Sequence, residues 1–315
     1  MTIAWLFPGQ GSQSVGMGMD VLAVSPAARA VFERVDAALG EPLSKLISQG
    51  PEADLTVTAN AQPAIVATSC AVLAALRERL PALAPPALAA GHSLGEYSAL
   101  VAAGALPLED AVVLVRARGR AMQEAVAPGT GAMSAIMGVE RERLEALCAA
   151  AALGEVVSPA NFNAPGQIVI AGHAGAVARV SELVVAERGR AIALKVSAPF
   201  HCALMAPAAR VVDSELARIP IAQPAFPIVA NFDARPNAQA ARVRELLVRQ
   251  VDGVVRWEES VRVMVAAGVT HALEIGPGKV LAGLAKRIAK DLKVLSVGDA
   301  ASLDQVVWFL AGAAG

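Results

Sequence analysis

The stretch Ala87-Leu88-Ala89-Ala90-Gly91-His92-Ser93-Leu94-Gly95 carries a short apolar run straight into two glycines that bracket a serine, and a helical pattern follows from about Leu94 to Ala103. A strand that ends in G-x-S-x-G and opens a helix predicts a nucleophile elbow, the turn that lifts a serine hydroxyl to the mouth of an α/β-hydrolase-like sheet. Small residues two before and two after the serine let the chain turn sharply without side-chain collisions. The backbone N–H groups that follow sit at a helix N-terminus, whose positive dipole end favours an oxyanion. An ordinary serine between two loop glycines is the competing reading, and the flanking strand and helix favour the elbow.

Working outward, Ile3 to Phe7 predicts a first strand, ended by Pro8-Gly9-Gln10-Gly11. Ser25 as N-cap and Pro26 at the first helical position open a helix that Gly40 closes. A longer helix is expected over roughly Ala61 to Leu80, with Pro81, Pro85 and Pro86 behind it. Beyond the elbow, a helix with Leu108, Val112, Val115 and Met122 on its apolar positions runs to about Val126 and carries Arg116, Arg118 and Arg120. The pattern then changes. Strand Ala132–Val139, helix Glu140–Ala151, strands Glu155–Asn161 and Gln167–Ala171, helix His173–Arg188 and strand Arg190–Val196 spell β-α-β-β-α-β, the order of a ferredoxin-like unit. The fold class expected is therefore α/β, with a large α/β-hydrolase-like catalytic domain of parallel sheet core formed by residues 1–127 and 199–315. A small ferredoxin-like domain, 128–198, is inserted into it, and ligands favour the cleft between two such domains.

Composition narrows the class. The 315 residues are 55% hydrophobic and 17% charged, which describes a chain able to bury a large core. With 27 basic and 28 acidic residues there is no global electrostatic reason to expect nucleic acid or an anionic membrane. The N-terminus has no basic n-region and only a five-residue apolar run before Pro8, so it does not read as a signal peptide. The apolar runs elsewhere are interrupted before the roughly 20 residues a bilayer crossing needs. A cytoplasmic location is expected. Cys70, Cys148 and Cys202 are widely spaced and fit neither a disulfide framework nor a zinc site, and no metal is expected.

A serine nucleophile needs a base, and the histidines are His92, His173, His201 and His271. His92 lies inside the elbow and is better placed to orient the loop. His173 opens a helix, and His271 heads the apolar run His-Ala-Leu-Glu-Ile. His201 follows Ala198-Pro199-Phe200 at the crossing back into the large domain, where a loop residue can face the cleft, so it leads without excluding the others. Arg118 alone reads as an ordinary solvated helix arginine, as do Arg116 and Arg120. Gly9-Gln10-Gly11 is no dinucleotide fingerprint, because Ser14 stands where the third glycine belongs. Gly276-Pro277-Gly278-Lys279 is a turn at a helix start.

Four segments together carry a resemblance: Phe7-Pro8-Gly9-Gln10-Gly11-Ser12-Gln13, Gly91 to Tyr97, Asn161-Phe162-Asn163-Ala164-Pro165-Gly166-Gln167, and Glu274-Ile275-Gly276-Pro277-Gly278. In order and spacing the chain resembles the malonyl-CoA:acyl-carrier-protein transacylases of bacterial fatty-acid synthesis over nearly its whole length. The resemblance implies Ser93 as nucleophile, His201 as base, the backbone N–H groups of Gln10 and Leu94 as oxyanion hole, and Arg118 as the partner of the substrate carboxylate. It also implies a main-chain carbonyl near Gln250 as the group that orients His201, with His92, Asn161 and Asn163 in support. Phe200 before His201 resembles the malonyl-selective form of that segment. Malonyl-CoA and acyl-carrier protein are the partners implied, with no metal or redox cofactor; a monomer is expected. Acidic carrier proteins call for a local basic surface, for which Lys195, Lys286, Arg287 and Lys290 are candidates. Malonyl transfer for a polyketide assembly line or a malonate decarboxylase, acyl hydrolysis on the same fold, and a catalytically silent scaffold are the alternative readings.

Overall fold

The computed structural model describes residues 2–312. Its main sheet has six strands in the order Lys293–Val297, His271–Ile275, Ile3–Phe7, Leu88–Gly91, Ile228–Val229, Pro236–Asn237. The first five run parallel and the last pairs antiparallel with its neighbour. Ile3–Phe7 and Leu88–Gly91 lie in the middle and are almost wholly buried, as parallel strands covered by helices on both faces must be. Phe7 registers beside Gly91, so the Gln10 loop and the elbow leave the sheet side by side at the carboxyl ends of adjacent strands. Open α/β sheets bind ligands at that end.

Ser25 caps the helix Pro26–Leu39 by accepting the Ala28 N–H at 3.1 Å, and Gly40 ends it at φ 66°. The long helix spans Thr58–Arg79, starting a turn before the expected Ala61 and leaving Pro63 inside it. The Val57 carbonyl accepts from both Asn60 and Ala61 N–H at 2.8 Å, so the first turn is closed before the proline removes a donor. By length and composition this helix could cross a membrane, but 89% of its apolar window is buried inside the protein. It packs against helix Leu108–Glu124 where Gly119 meets Ala59. A Cβ on Gly119 would stand 2.8 Å from the Ala59 Cα, so only glycine permits this approach, which brings Arg118 beside Gln62.

The second sheet is drawn from Gly131 to Ala193 in the order Val157–Ala164, Gln167–His173, Gly131–Met137, Arg190–Ala193, antiparallel throughout. With helices Arg141–Ala151 and Ala174–Ala186 it forms the ferredoxin-like part of the fold. Strand alternation divides its faces: Ile136, Ile168 and Ile170 pack under the two helices, whereas Met133, Val169 and Ala171 join the large core. Two expected strands are corrected here. Glu155–Asn161 is instead Val157–Ala164, extended through two register shifts that present Asn161 and Asn163 in succession. Arg190–Val196 stops at Ala193: Leu194 N–H still donates to the Met133 carbonyl at 2.9 Å, and beyond it Lys195 and Val196 leave the ladder to line the cleft.

Candidate active site

Gly91 and Gly95 are bare because the elbow leaves no room. A Cβ on Gly91 would lie 1.8 Å from the Gly95 carbonyl carbon, and one on Gly95 would lie 2.1 Å from the Phe7 carbonyl oxygen. The serine between them is held at φ 49°, in the left-handed region that costs an L-residue energy unless its surroundings enforce it. Asn231 enforces it. Its Oδ1 accepts the Ser93 N–H at 2.6 Å, its Nδ2 donates to the Gly91 carbonyl at 2.7 Å, and its own N–H donates to Glu96 Oε2 at 3.0 Å.

Ser93 Oγ lies 2.7 Å from His201 Nε2. His201 is itself at φ 60° and 4% exposed, and its Nδ1 lies 2.8 Å from the backbone oxygen of Gln250. A carbonyl can only accept, so Nδ1 carries the proton and the Nε2 lone pair faces the serine. Burial first, and then the nearby Arg118 cation, push the His201 imidazole down to about 3 from 6.5, so it is a neutral acceptor at physiological pH. Among the described residues no aspartate bonds to His201. The orienting group is the main-chain carbonyl of the helix Ala240–Asp252.

Arg118 is 1% exposed, its guanidinium over the Tyr97 ring at 5.4 Å. Nη1 donates to Gln62 Oε1 at 2.8 Å, and Nη2 donates to Gln250 Oε1 at 3.0 Å and Ser93 Oγ at 3.2 Å. All three partners are neutral, so among the described residues the buried cation has no direct ion pair. Arg116 differs: it pairs with Glu41 away from the serine, which removes it as a substitute for Arg118. The backbone N–H groups of Gln10 and Leu94 donate to no acceptor among the described residues, while the Gln10 side chain is anchored on Thr58 Oγ1 at 3.2 Å.

These groups open into a cavity of about 490 Å³, with Gln10, Ser93, Arg118 and His201 on the main-sheet side and Asn161 and Asn163 on the other. His92 does not reach across to serve the serine; its Nε2 is 2.8 Å from Asn163 Oδ1 and its ring lies 5.5 Å from that of Trp257, so it ties the elbow to the second sheet. His173 accepts the Val156 N–H and His271 bonds to Thr270, both outside this cavity. A larger hollow of about 670 Å³ elsewhere is lined by Ser25, Glu78, Arg79 and Asp304, which are engaged with one another. Of the basic candidates, Lys195 lines the cavity and Arg287 is tied to Gln167 and the Pro165 carbonyl.

Sequence reasoning missed Gln62, Glu96 and Asn231. Gln62 is one of several polar residues in an alanine-rich helix, with Asn60, Thr68 and Ser69, and nothing local sets it apart from them. Glu96 reads as an ordinary first-turn acid, and Asn231 as a turn residue after Ile228–Val229.

A family model described as "Acyl transferase domain" matches residues 4–303. The malonyl CoA-acyl carrier protein transacylase of Haemophilus influenzae is 47% identical, over 98% of each chain. An acyl carrier protein S-malonyltransferase from Vibrio cholerae has a crystal structure that superposes with a TM-score of 0.94 at 46% identity, covering 97% of this chain and 100% of that one. A malonyl-transacylase solved in complex with a type II PKS acyl-carrier protein superposes at 0.95 and 44% identity, over 98% of this chain and 100% of that one.

Proposed function

The chain belongs to the malonyl CoA-acyl carrier protein transacylases of the acyl transferase domain family, and on that premise we propose which of its residues perform the transfer. It moves a malonyl group from malonyl-CoA to the phosphopantetheine thiol of acyl-carrier protein, supplying fatty-acid synthesis. The observation that carries the assignment is that one oxygen, Ser93 Oγ, touches both His201 Nε2 and Arg118 Nη2. A malonyl thioester has its reactive carbonyl and its carboxylate one methylene apart, so nucleophile and carboxylate receptor must be neighbours.

In the first half-reaction Ser93 Oγ–H gives its proton to His201 Nε2 while Oγ attacks the thioester carbonyl. The oxygen that gains charge is received by the N–H groups of Gln10 and Leu94, donors that need no reorganisation because they are already free. The carbon–sulfur bond breaks, the imidazolium protonates the departing thiolate, and malonyl remains as an ester on Ser93. The carrier thiol then enters and the same steps run in reverse. Formation of the imidazolium beside Arg118 is disfavoured until the substrate carboxylate pairs with the guanidinium, so malonyl itself removes part of the obstacle. No bond changes oxidation state, and neither metal nor redox cofactor is called for.

We further propose residues 128–198 as the inserted domain that supplies the outer wall of the cleft, and a monomer working in the cytoplasm. A hydrolase on this fold would have no use for a buried arginine next to its nucleophile. Incubation with radiolabelled malonyl-CoA, then denaturing electrophoresis with and without acyl-carrier protein, tests the assignment: label should stay on the chain and be discharged to the carrier. Release as free malonate would favour the hydrolase.

A further inference from the structure

We infer that Glu96 is a positioning residue for the transfer, whose carboxylate acts through the Gln250 side chain on Arg118 and on the His201–Ser93 pair. The inference rests on the reading of Ser93, His201 and Arg118 given above and adds a group that reading does not use.

Glu96 stands in the first turn of the elbow helix, Gly95–Ala102, a place where an acid on a helix surface needs no explanation. Here it is 3% exposed. A carboxylate in such surroundings is costly unless donors and countercharge hold it. The donors are the Asn231 N–H at 3.0 Å and Gln250 Nε2 at 2.8 Å, both onto Oε2. Gln250 in turn donates to the Ser93 carbonyl at 2.9 Å, accepts Arg118 Nη2 on its Oε1 at 3.0 Å, and accepts His201 Nδ1 on its backbone oxygen at 2.8 Å. One glutamine therefore links the buried acid to the buried cation and to the base.

The charge count gives this linkage its consequence. Among the described residues Arg118 has no direct carboxylate partner, and Glu96 and Arg118, on either side of the Gln250 amide, each feel the other's charge. The other acid facing Glu96 is Asp233, from the turn after Ile228–Val229, and it is paired with Arg242 at 3.1 Å. Once ionised, Glu96 therefore balances part of the Arg118 charge. A malonyl carboxylate brings a second anion to the same guanidinium, so substrate and Glu96 compete for it. Burial raises the Glu96 carboxyl to about 7, which places this competition in the neutral range. As pH rises Glu96 ionises and malonyl binding weakens, whereas imidazolium formation on His201 is better balanced.

Glu96→Gln keeps the shape and one acceptor oxygen for both donors, removes the charge, and replaces Oε1, which accepts no bond among the described residues, by an amide NH2. The expected result is a KM–kcat split: KM for malonyl-CoA falls by about threefold to tenfold, kcat falls by about tenfold for malonyl-CoA and acetyl-CoA alike, and KM for acetyl-CoA is unchanged. Wild-type KM for malonyl-CoA should rise between about pH 6 and pH 8 and become flat in the variant. In an Arg118→Ala background the effect of Glu96→Gln on malonyl-CoA KM should vanish, since its route through the guanidinium is gone. Kinetics like wild type at both pH values, or losses that merely track a lowered Tm with no split between the two substrates, would overturn the inference. Should the variant fail to fold, the wild-type profile decides: a KM for malonyl-CoA that does not change with pH overturns it, and one that rises with pH while the acetyl-CoA value stays level supports it. Failure of the underlying site is read separately, as radiolabel retained by Ser93→Ala.

Discussion

Ser93 and His201 stand 108 positions apart, both at positive φ, with Oγ and Nε2 at 2.7 Å. Neither backbone would hold that conformation alone; Asn231 fixes the serine, and the Gln250 carbonyl fixes the imidazole. The contact is therefore built by elements from four separate parts of the chain, and each support gives an expected outcome.

Ser93→Ala should abolish the stable malonyl-enzyme while leaving the fold intact, since its side chain gives the elbow no bond that Asn231 does not make to the backbone. The measurement is retention of radiolabel after denaturing electrophoresis. Label still bound to the variant would move the nucleophile elsewhere.

His201→Ala should lower acyl transfer by about two to four orders of magnitude, the usual worth of a positioned base. It should also change how stability responds to pH. His201 falls from 6.5 when unfolded to about 3 when folded, so unfolding takes up a proton below 6.5. Its contribution is fully present above 6.5 and is lost as pH falls toward the folded value. Between about pH 7 and pH 5 the wild type should lose about 2 kcal/mol more stability than the alanine variant. Chemical denaturation at the two pH values checks this, and parallel losses would show that His201 is not held neutral.

Arg118→Ala should depress malonyl transfer at least about a hundredfold, on the scale of the 3–5 kcal/mol that breaking a buried ion pair costs. Acetyl-CoA has no carboxylate, so its transfer should hold or improve, inverting the preference. The comparison is kcat/KM for the two thioesters in both proteins. A joint fall would make Arg118 a structural residue of its helix, and Arg116 could not replace it because Glu41 holds it elsewhere.

Asn231→Ala should unlock the elbow. The substitution removes the partners of the Ser93 N–H and the Gly91 carbonyl, each worth about 1–3 kcal/mol when left buried and unpaired. A lower Tm with a lower kcat is expected, and Asn231→Asp should recover the serine bond but not the glycine one. Unchanged kcat in the alanine variant would show that the serine keeps its geometry without the clamp.

What the sequence determined by itself was whatever depends on neighbours along the chain. The elbow follows from two glycines around Ser93, the cap from Ser25-Pro26, and the ferredoxin-like part from an order of elements legible as changes of period. Those are steric and periodic facts, set within about a dozen residues. It also supplied Arg118 and Gln250 through resemblance, but without a physical reason for either. Tertiary structure decided that reason. An arginine on an amphipathic helix looks solvated until Gly119 brings that helix against Ala59 and buries it. Lys195 and Val196 read as strand until the cleft draws them off the sheet, and the acid at Glu96 reads as a surface dipole partner until the packing of Asn231 and Gln250 encloses it. Burial, and the exchange of hydrogen bonds between segments more than a hundred residues apart, are properties of the packed chain, so no local pattern could carry them.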